Sequence, residues 1–249
     1  MLKDKRIIVT GAAQGIGAVM AAGFAKMGAK VALADIADPA PAVDRIREAG
    51  GDALGVQVDV TRRADCENMV AATEAAFGGL DGLVNNAALF ATLPIERYDE
   101  IDDALWDKVM AVNVKGPWLC TCAATPAMER SGGGSIVMIA TNRIFHGFPG
   151  MLHYDASKGG VMAMTRSLIR EVGAKNIRVN TIAPGLTMSE GVRAREGIEE
   201  RAPAIAAGRS LARNQEPEDL VGAAAFFLSD HAGFISGQSL CVDGGGLVH

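Results

Sequence analysis

The stretch Arg6–Gly17, RIIVTGAAQGIG, is where the reading of this chain begins. RIIVT is short, β-branched and apolar, as expected of a strand covered on both faces. It runs straight into three glycines, Gly11, Gly15 and Gly17, with Gln14 as the flexible position of the turn. Glycines at this spacing let the backbone turn tightly and approach a pyrophosphate, and Gly17 lets the following helix close onto the sheet. The helix opening at Ile16 then aims its free N–H groups at the anion. A glycine triplet alone is weak; following a strand and opening a helix, it carries weight.

Outward from the turn, apolar runs recur at 31–35, 54–60, 82–87, 135–141, 177–183 and 239–244. Between them lie segments with helical apolar spacing, closed by Gly28, Gly50-Gly51, Gly78-Gly79 and Gly132–Gly134. This βα alternation predicts an α/β fold, a doubly wound parallel sheet with helices on both faces, in a single domain spanning 1–249. Residues 186–216 break the rhythm with Gly191, Gly197, Pro203 and Gly208 among many charges. Short helices are expected there, either as a substrate lid beyond a strand end or as a solvated excursion.

The 249 residues are 49% hydrophobic and 21% charged, enough for a large core. A formal charge of −5 argues against nucleic acid or an anionic membrane as the main partner. Cys66, Cys120, Cys122 and Cys241 lack zinc spacing, so no metal is expected, and buried free thiols in a reducing compartment are. The N-terminus enters a strand at once and no apolar run reaches membrane length, which together predict a cytoplasmic protein.

The second strand ends in Asp35, 18 residues after Gly17. A carboxylate there accepts from adenosine ribose hydroxyls and repels a 2′-phosphate, and Ile36 supplies no cation, so NAD is expected over NADP. Asp59-Val60 and Asn85–Ala88 close the third and fourth strands, where Asp59 suits an adenine contact and Asn86 sits against the cofactor. Tyr154 and Lys158, in YDASK, share one helical face one turn apart. A close ammonium would lower the phenol pKa and make an acid/base pair. Taken alone, the pentapeptide reads better as an ordinary helix pair.

These motifs in this order resemble the short-chain dehydrogenase/reductase family, in its single-domain branch of roughly 250 residues. They are TGxxxGIG at 10–17, Asp59-Val60, NNA at 85–87, Asn113 in VMAVNVKG, Tyr154-x-x-x-Lys158, Pro184-Gly185 and Asp243-Gly244-Gly245. The resemblance implies a Rossmann-type sheet of seven strands in the order 3-2-1-4-5-6-7, and usually a homotetramer, sometimes a dimer. It implies Tyr154 as catalytic acid/base, Lys158 lowering its pKa and binding the nicotinamide ribose, and Asn113 holding a water in the proton relay. The family's serine is replaced here by Thr141, which keeps the hydroxyl but restricts its rotamers. Ala88 departs from the usual glycine and would crowd the nicotinamide side slightly. The resemblance maps the backbone of Thr187 to the carboxamide and the hydroxyl of Ser189 to the carboxamide or a phosphate.

The activity so implied is hydride transfer between NAD and a small-molecule substrate, a secondary alcohol, ketone or cyclic hemiacetal. Two alternatives stand beside it: an NADPH-dependent 3-oxoacyl-type carbonyl reductase, and a non-catalytic NAD-binding scaffold. Enoyl reductases of the family separate Tyr and Lys by six residues rather than three. The pocket candidates are Asn142, Arg143, Phe148 and Met188, with Phe90 and Phe145 as further apolar residues. His146 and His153 read better as solvated loop residues. Arg143 is expected either to clamp a substrate anion, to pair with the lid residues Glu190, Glu196, Glu199 and Glu200, or to form an ion pair at a subunit contact.

Overall fold

The computed structural model describes residues 1–247, so the last two residues of the expected domain lie outside it. Its seven strands are β1 (Arg6–Thr10), β2 (Lys30–Asp35), β3 (Asp52–Gln57), β4 (Gly82–Asn85), β5 (Gly134–Ile139), β6 (Ile177–Pro184) and β7 (Ser239–Val242). They form one sheet in the order β3-β2-β1-β4-β5-β6-β7, with every pair parallel. The Rossmann-type architecture is therefore as expected. Four strands end before their apolar runs do: β3 stops before Val58, β4 before Asn86, β5 before Ala140 and β7 before Asp243, so Asp59-Val60, Asn86, Thr141 and Asp243 lie in the loops at the carboxyl edge.

Side chains alternate across the pleat, which explains the continuous apolar runs. From β1, Ile7 and Val9 face α1 (Gly15–Lys26), α2 (Ala40–Glu48) and α10 (Glu218–Leu228), joining Met20, Phe24, Val43 and Leu220 in one core. Ile8 faces the other way, toward α3 (Arg63–Phe77), α5 (Gly116–Arg130) and α7 (Leu152–Val172), with Met69, Leu119 and Val161. Each such side chain contributes roughly 1.5–3 kcal/mol on full burial. Cys66 and Cys120 lie in the second core with their Sγ atoms 3.7 Å apart. All four cysteines are free, but Cys122 and Cys241 are only half-buried, because their side chains fall at the edge of the packed layers.

The strand order reverses between β1 and β4, and there the carboxyl ends part into a crevice. Thr10 holds its floor: the hydroxyl donates to Val84 O (3.3 Å) and accepts from Asn86 N and Ala87 N (both 3.1 Å). At the opposite end of the same strands, Arg6 grips Asp81 with Nε and Nη2 at 2.7 and 2.8 Å. Between β4 and α5 come α4 (Asp103–Met110), capped by the Asp102 carboxylate, and a π turn over Ala111–Lys115. A short α6 (Arg143–His146) follows β5.

The irregular segment 186–216 folds into α8 (Glu190–Arg193) and α9 (Ile198–Ala207). Met188, Val192, Ile198 and Ala202 form a small core of their own against Phe90 and Leu186. The segment is tied down at its base, where Arg193 holds Glu216 at 2.7 and 2.8 Å and Thr187 bridges Gln215. Among the described residues, no helix is long and apolar enough to cross a membrane, and no group of three or more His, Cys, Asp or Glu side chains is placed to hold a metal.

Candidate active site

At the crevice, Gly11 and Gly15 adopt φ +65° and +59°, a conformation that side-chain-bearing residues rarely take. A Cβ on Gly11 would lie 2.8 Å from Ala87 Cα, and one on Gly17 would collide with the Gly11 carbonyl. Asn86 stitches the turn through its amide, which donates to Thr10 O (2.9 Å) and Gly11 O (3.0 Å). Gln14 is extended and exposed, and Ile16 lies in the first turn of α1. Above Gly15 the space is open up to Ser189 Cβ, 3.7 Å from a Cβ built there. This is a cradle that side chains would fill and that suits a dinucleotide pyrophosphate at a helix N-terminus.

Asp35 closes the cradle toward β2, with its Oδ2 accepting from Ala13 N at 2.9 Å and its Oδ1 from Ala37 N at 3.0 Å. Asp59, past β3, is turned into its own loop and accepts from Thr61 N and Oγ1 at 2.9 and 2.7 Å, while Val60 is buried. Arg45 of α2 lines an open groove beside Gln14, Gly15 and Glu190. Sequence reading passed over that cation because it stands outside the glycine turn. Pro184 ends β6, and Gly185 is packed against Gln215 and Asp243. Thr187 is buried, with its hydroxyl donating to Gly185 O at 3.1 Å. Ala88 is exposed rather than pressed into the crevice.

Thr141 lies just beyond β5, while Tyr154 and Lys158 rise from the first turns of α7. Their exposures are only 6%, 6% and 3%. Burial pushes the Tyr154 phenol well above its ordinary range, and a hydrogen bond with Thr141 offsets only part of that rise. Burial also brings Lys158 down to about 8. Its Nζ donates to Ile139 O at 2.7 Å and sits 5.8 Å from the centroid of the Tyr154 ring. The helical spacing does bring the two together, but the net shift of the phenol is upward. Desolvation of both groups outweighs their proximity.

Asn113, on the π turn, is fully buried. Its Oδ1 accepts from Leu89 N (2.8 Å), and its Nδ2 donates to Leu89 O (3.2 Å) and Ser157 Oγ (3.1 Å). The side chain is thus committed to protein groups. Ser157, inside the YDASK motif, was not singled out from sequence, although it also donates to Tyr154 O at 2.7 Å.

The pocket candidates separate. Phe90 packs on Tyr154 with ring centroids 4.8 Å apart and planes tilted by 39°, and Met188 is buried against it. Asn142 commits its amide nitrogen to Asp243 Oδ2 at 2.9 Å. Arg143 pairs not with the lid glutamates but with Asp155, through Nε at 2.9 Å and Nη2 at 3.1 Å, and also donates to Phe148 O and Pro149 O. The α6–α7 turn folds Arg143 back onto Asp155, the residue next to Tyr154. Phe148 is exposed and stacked on His146. His153 is not a solvated loop residue: it lies in the first turn of α7, fully buried, with no hydrogen-bond partner at either ring nitrogen among the described residues.

Residues 11–246 match the family described as enoyl-(acyl carrier protein) reductase. An uncharacterized oxidoreductase of Thermotoga maritima is 37% identical over 98% of this chain and 97% of its own. The 2-(S)-hydroxypropyl-CoM dehydrogenase 3 of Xanthobacter autotrophicus is 34% identical over 98% of this chain and 97% of its own. Among solved structures, a short-chain type dehydrogenase/reductase from Mycobacterium ulcerans superposes with a TM-score of 0.91 at 30% identity, covering 98% of this chain and 90% of that one.

Proposed function

Given that the chain belongs to the short-chain dehydrogenase/reductase family, a family of enzymes that bind an NAD(P)-type dinucleotide, we propose that it is an NAD-dependent dehydrogenase. Its substrate would be a secondary alcohol, the corresponding ketone or a cyclic hemiacetal. The observation that carries this reading is the buried cluster of Tyr154, Thr141 and Lys158 beside the glycine cradle.

Gly11, Gly15, Gly17 and Ser189 would hold the dinucleotide's phosphates, with Asp35 on the adenosine ribose and Thr187 near the carboxamide. When bound and oxidised, the dinucleotide supplies the hydride acceptor and a positive charge. Thr141 then holds the substrate oxygen while Tyr154 takes its proton. A phenol pushed up by burial stays protonated near neutral pH, so the nearby cation of Lys158 matters for forming the phenolate that takes the proton. Lys158, titrating near 8, passes the proton on close to neutral pH. A relay water would be held by the main chain of Asn113, because its amide is taken.

NAD is favoured over NADP by the Asp35 carboxylate and the exposed, uncharged Ile36 beside it. The three-residue interval between Tyr154 and Lys158 favours alcohol oxidation over enoyl reduction. Four free thiols accord with a cytoplasmic setting. Exposed Trp118, Phe234 and Leu240 accord with a homotetramer or a dimer. The test is Tyr154→Phe: NADH formation from a panel of secondary alcohols should fall at least ~10²-fold, with NAD binding by calorimetry within a few-fold. Undiminished turnover would remove Tyr154 from the mechanism.

A further inference from the structure

We infer that Arg195 is an anion clamp of this site, and that the substrate carries an oxyanion (carboxylate or phosphate) several bonds from its reacting carbinol. The inference rests on the dehydrogenase reading and names the substrate class for it. Arg195 lies between α8 and α9 and is half-buried. Its Cζ stands 5.4 Å over the Phe90 ring, and that ring packs at 4.8 Å on Tyr154. The guanidinium is therefore one aromatic ring removed from the acid/base group.

Its arginine neighbours, the exposed Arg201 apart, are otherwise satisfied. Arg193 has Glu216, Arg213 has Asp219 and Arg143 has Asp155. Arg209 is held by the carbonyls of Leu186 and Arg213. Arg195 makes one hydrogen bond, from Nη2 to Leu93 O at 3.0 Å, and no ion pair among the described residues. Glu196, Glu199 and Glu200, on the same segment, are exposed and do not turn back onto it. Burial, then Arg143 and Arg201, lowers its proton affinity, with no acid acting in opposition. A half-buried guanidinium carries five donors and a charge that is costly to leave unpaired, so an oxyanion over Phe90 would be held by charge-assisted hydrogen bonds. Because Arg195 belongs to the lid segment, the same contact would draw that segment toward Phe90.

The test is calorimetric titration of the whole protein with NAD⁺ present. The probes are 3-hydroxybutanoate, 4-hydroxypentanoate and 2-hydroxypropyl phosphate, against the two methyl esters and 1,2-propanediol. At least one anion should bind about tenfold or more tighter than its neutral counterpart, and Arg195→Gln should remove most of that ratio while Arg195→Lys keeps part of it. A merely structural role would weaken anion and neutral probe alike, leaving the ratio intact, and would overturn the inference. So would a wild type that binds no anion, or binds each pair equally. Turnover is read separately. Arg195-dependent anion binding with no NADH from any probe or alcohol would sink the dehydrogenase reading and leave the clamp standing. NADH from neutral alcohols without anion preference would do the reverse.

Discussion

Replacing Lys158 with Met removes a buried ammonium and keeps a side chain of similar length. Lys158 moves from an ordinary 10.5 to about 8 because burial disfavours its charged form. Between those values the unfolded chain holds a proton that the folded chain has released, so stability rises with pH across the window 8 to 10.5. Below 8 both states are protonated and the full cost of burying the charge is present. Integrating the linkage between pH 7 and 10 gives a gain of about 2.5 kcal/mol for the wild type that the Met variant lacks. Loss of the Nζ to Ile139 O bond lowers the variant by roughly 1.5–3 kcal/mol, an offset that depends little on pH while the ammonium is charged. The assay is urea unfolding of both proteins without dinucleotide, at one protein concentration and several pH values. Groups distant from residue 158 cancel in the difference, and the Tyr154 phenol, held well above its ordinary range by burial, stays protonated across the window in both folded proteins. A difference that stays flat from pH 7 to 10, or slopes the other way, would refute the argument that burial governs Lys158.

Thr141→Val should cost about 10²-fold in kcat, and Thr141→Ser should restore most of it, since the hydroxyl rather than the methyl serves the substrate oxygen. Arg143→Met should lower stability by about 1–3 kcal/mol in thermal melting, because it leaves the half-buried Asp155 carboxylate without its partner. A rise in KM for anionic substrates without loss of stability would return Arg143 to the pocket. Asp35→Ser with Ile36→Arg should shift the kcat/KM ratio toward NADP by about tenfold or more, since it removes the repelling carboxylate and adds a cation. Stronger use of NADP⁺ than NAD⁺ by the wild type would contradict that reading of β2.

How much of this was legible in the sequence depended on how local each feature is. The glycine turn, the strands and Asp35 are set by neighbours within a few residues, and they appeared where expected. The ends of β3, β4, β5 and β7 did not; past β3 and β4, for instance, Val58, Val60 and Ala87 are apolar for packing in loops rather than for pairing in the sheet. Helical spacing brought Tyr154 and Lys158 together but says nothing of desolvation, which decides the direction of both shifts. The Arg143–Asp155 pair depends on how tightly the chain reverses between α6 and α7. Contacts such as Arg195 with Phe90 join segments about a hundred residues apart, and no periodicity encodes them.

The three hydrogen bonds of Asn113 have a mechanical consequence. They fasten the backbone of Leu89, beside Phe90, to Ser157 on the helix that carries Tyr154 and Lys158. Neither anchor belongs to the segment 186–216. The phenol and the wall facing it are thus braced to each other like two jaws on one frame, and residues 186–216 rest on that frame from outside, with Met188 and Arg195 against Phe90.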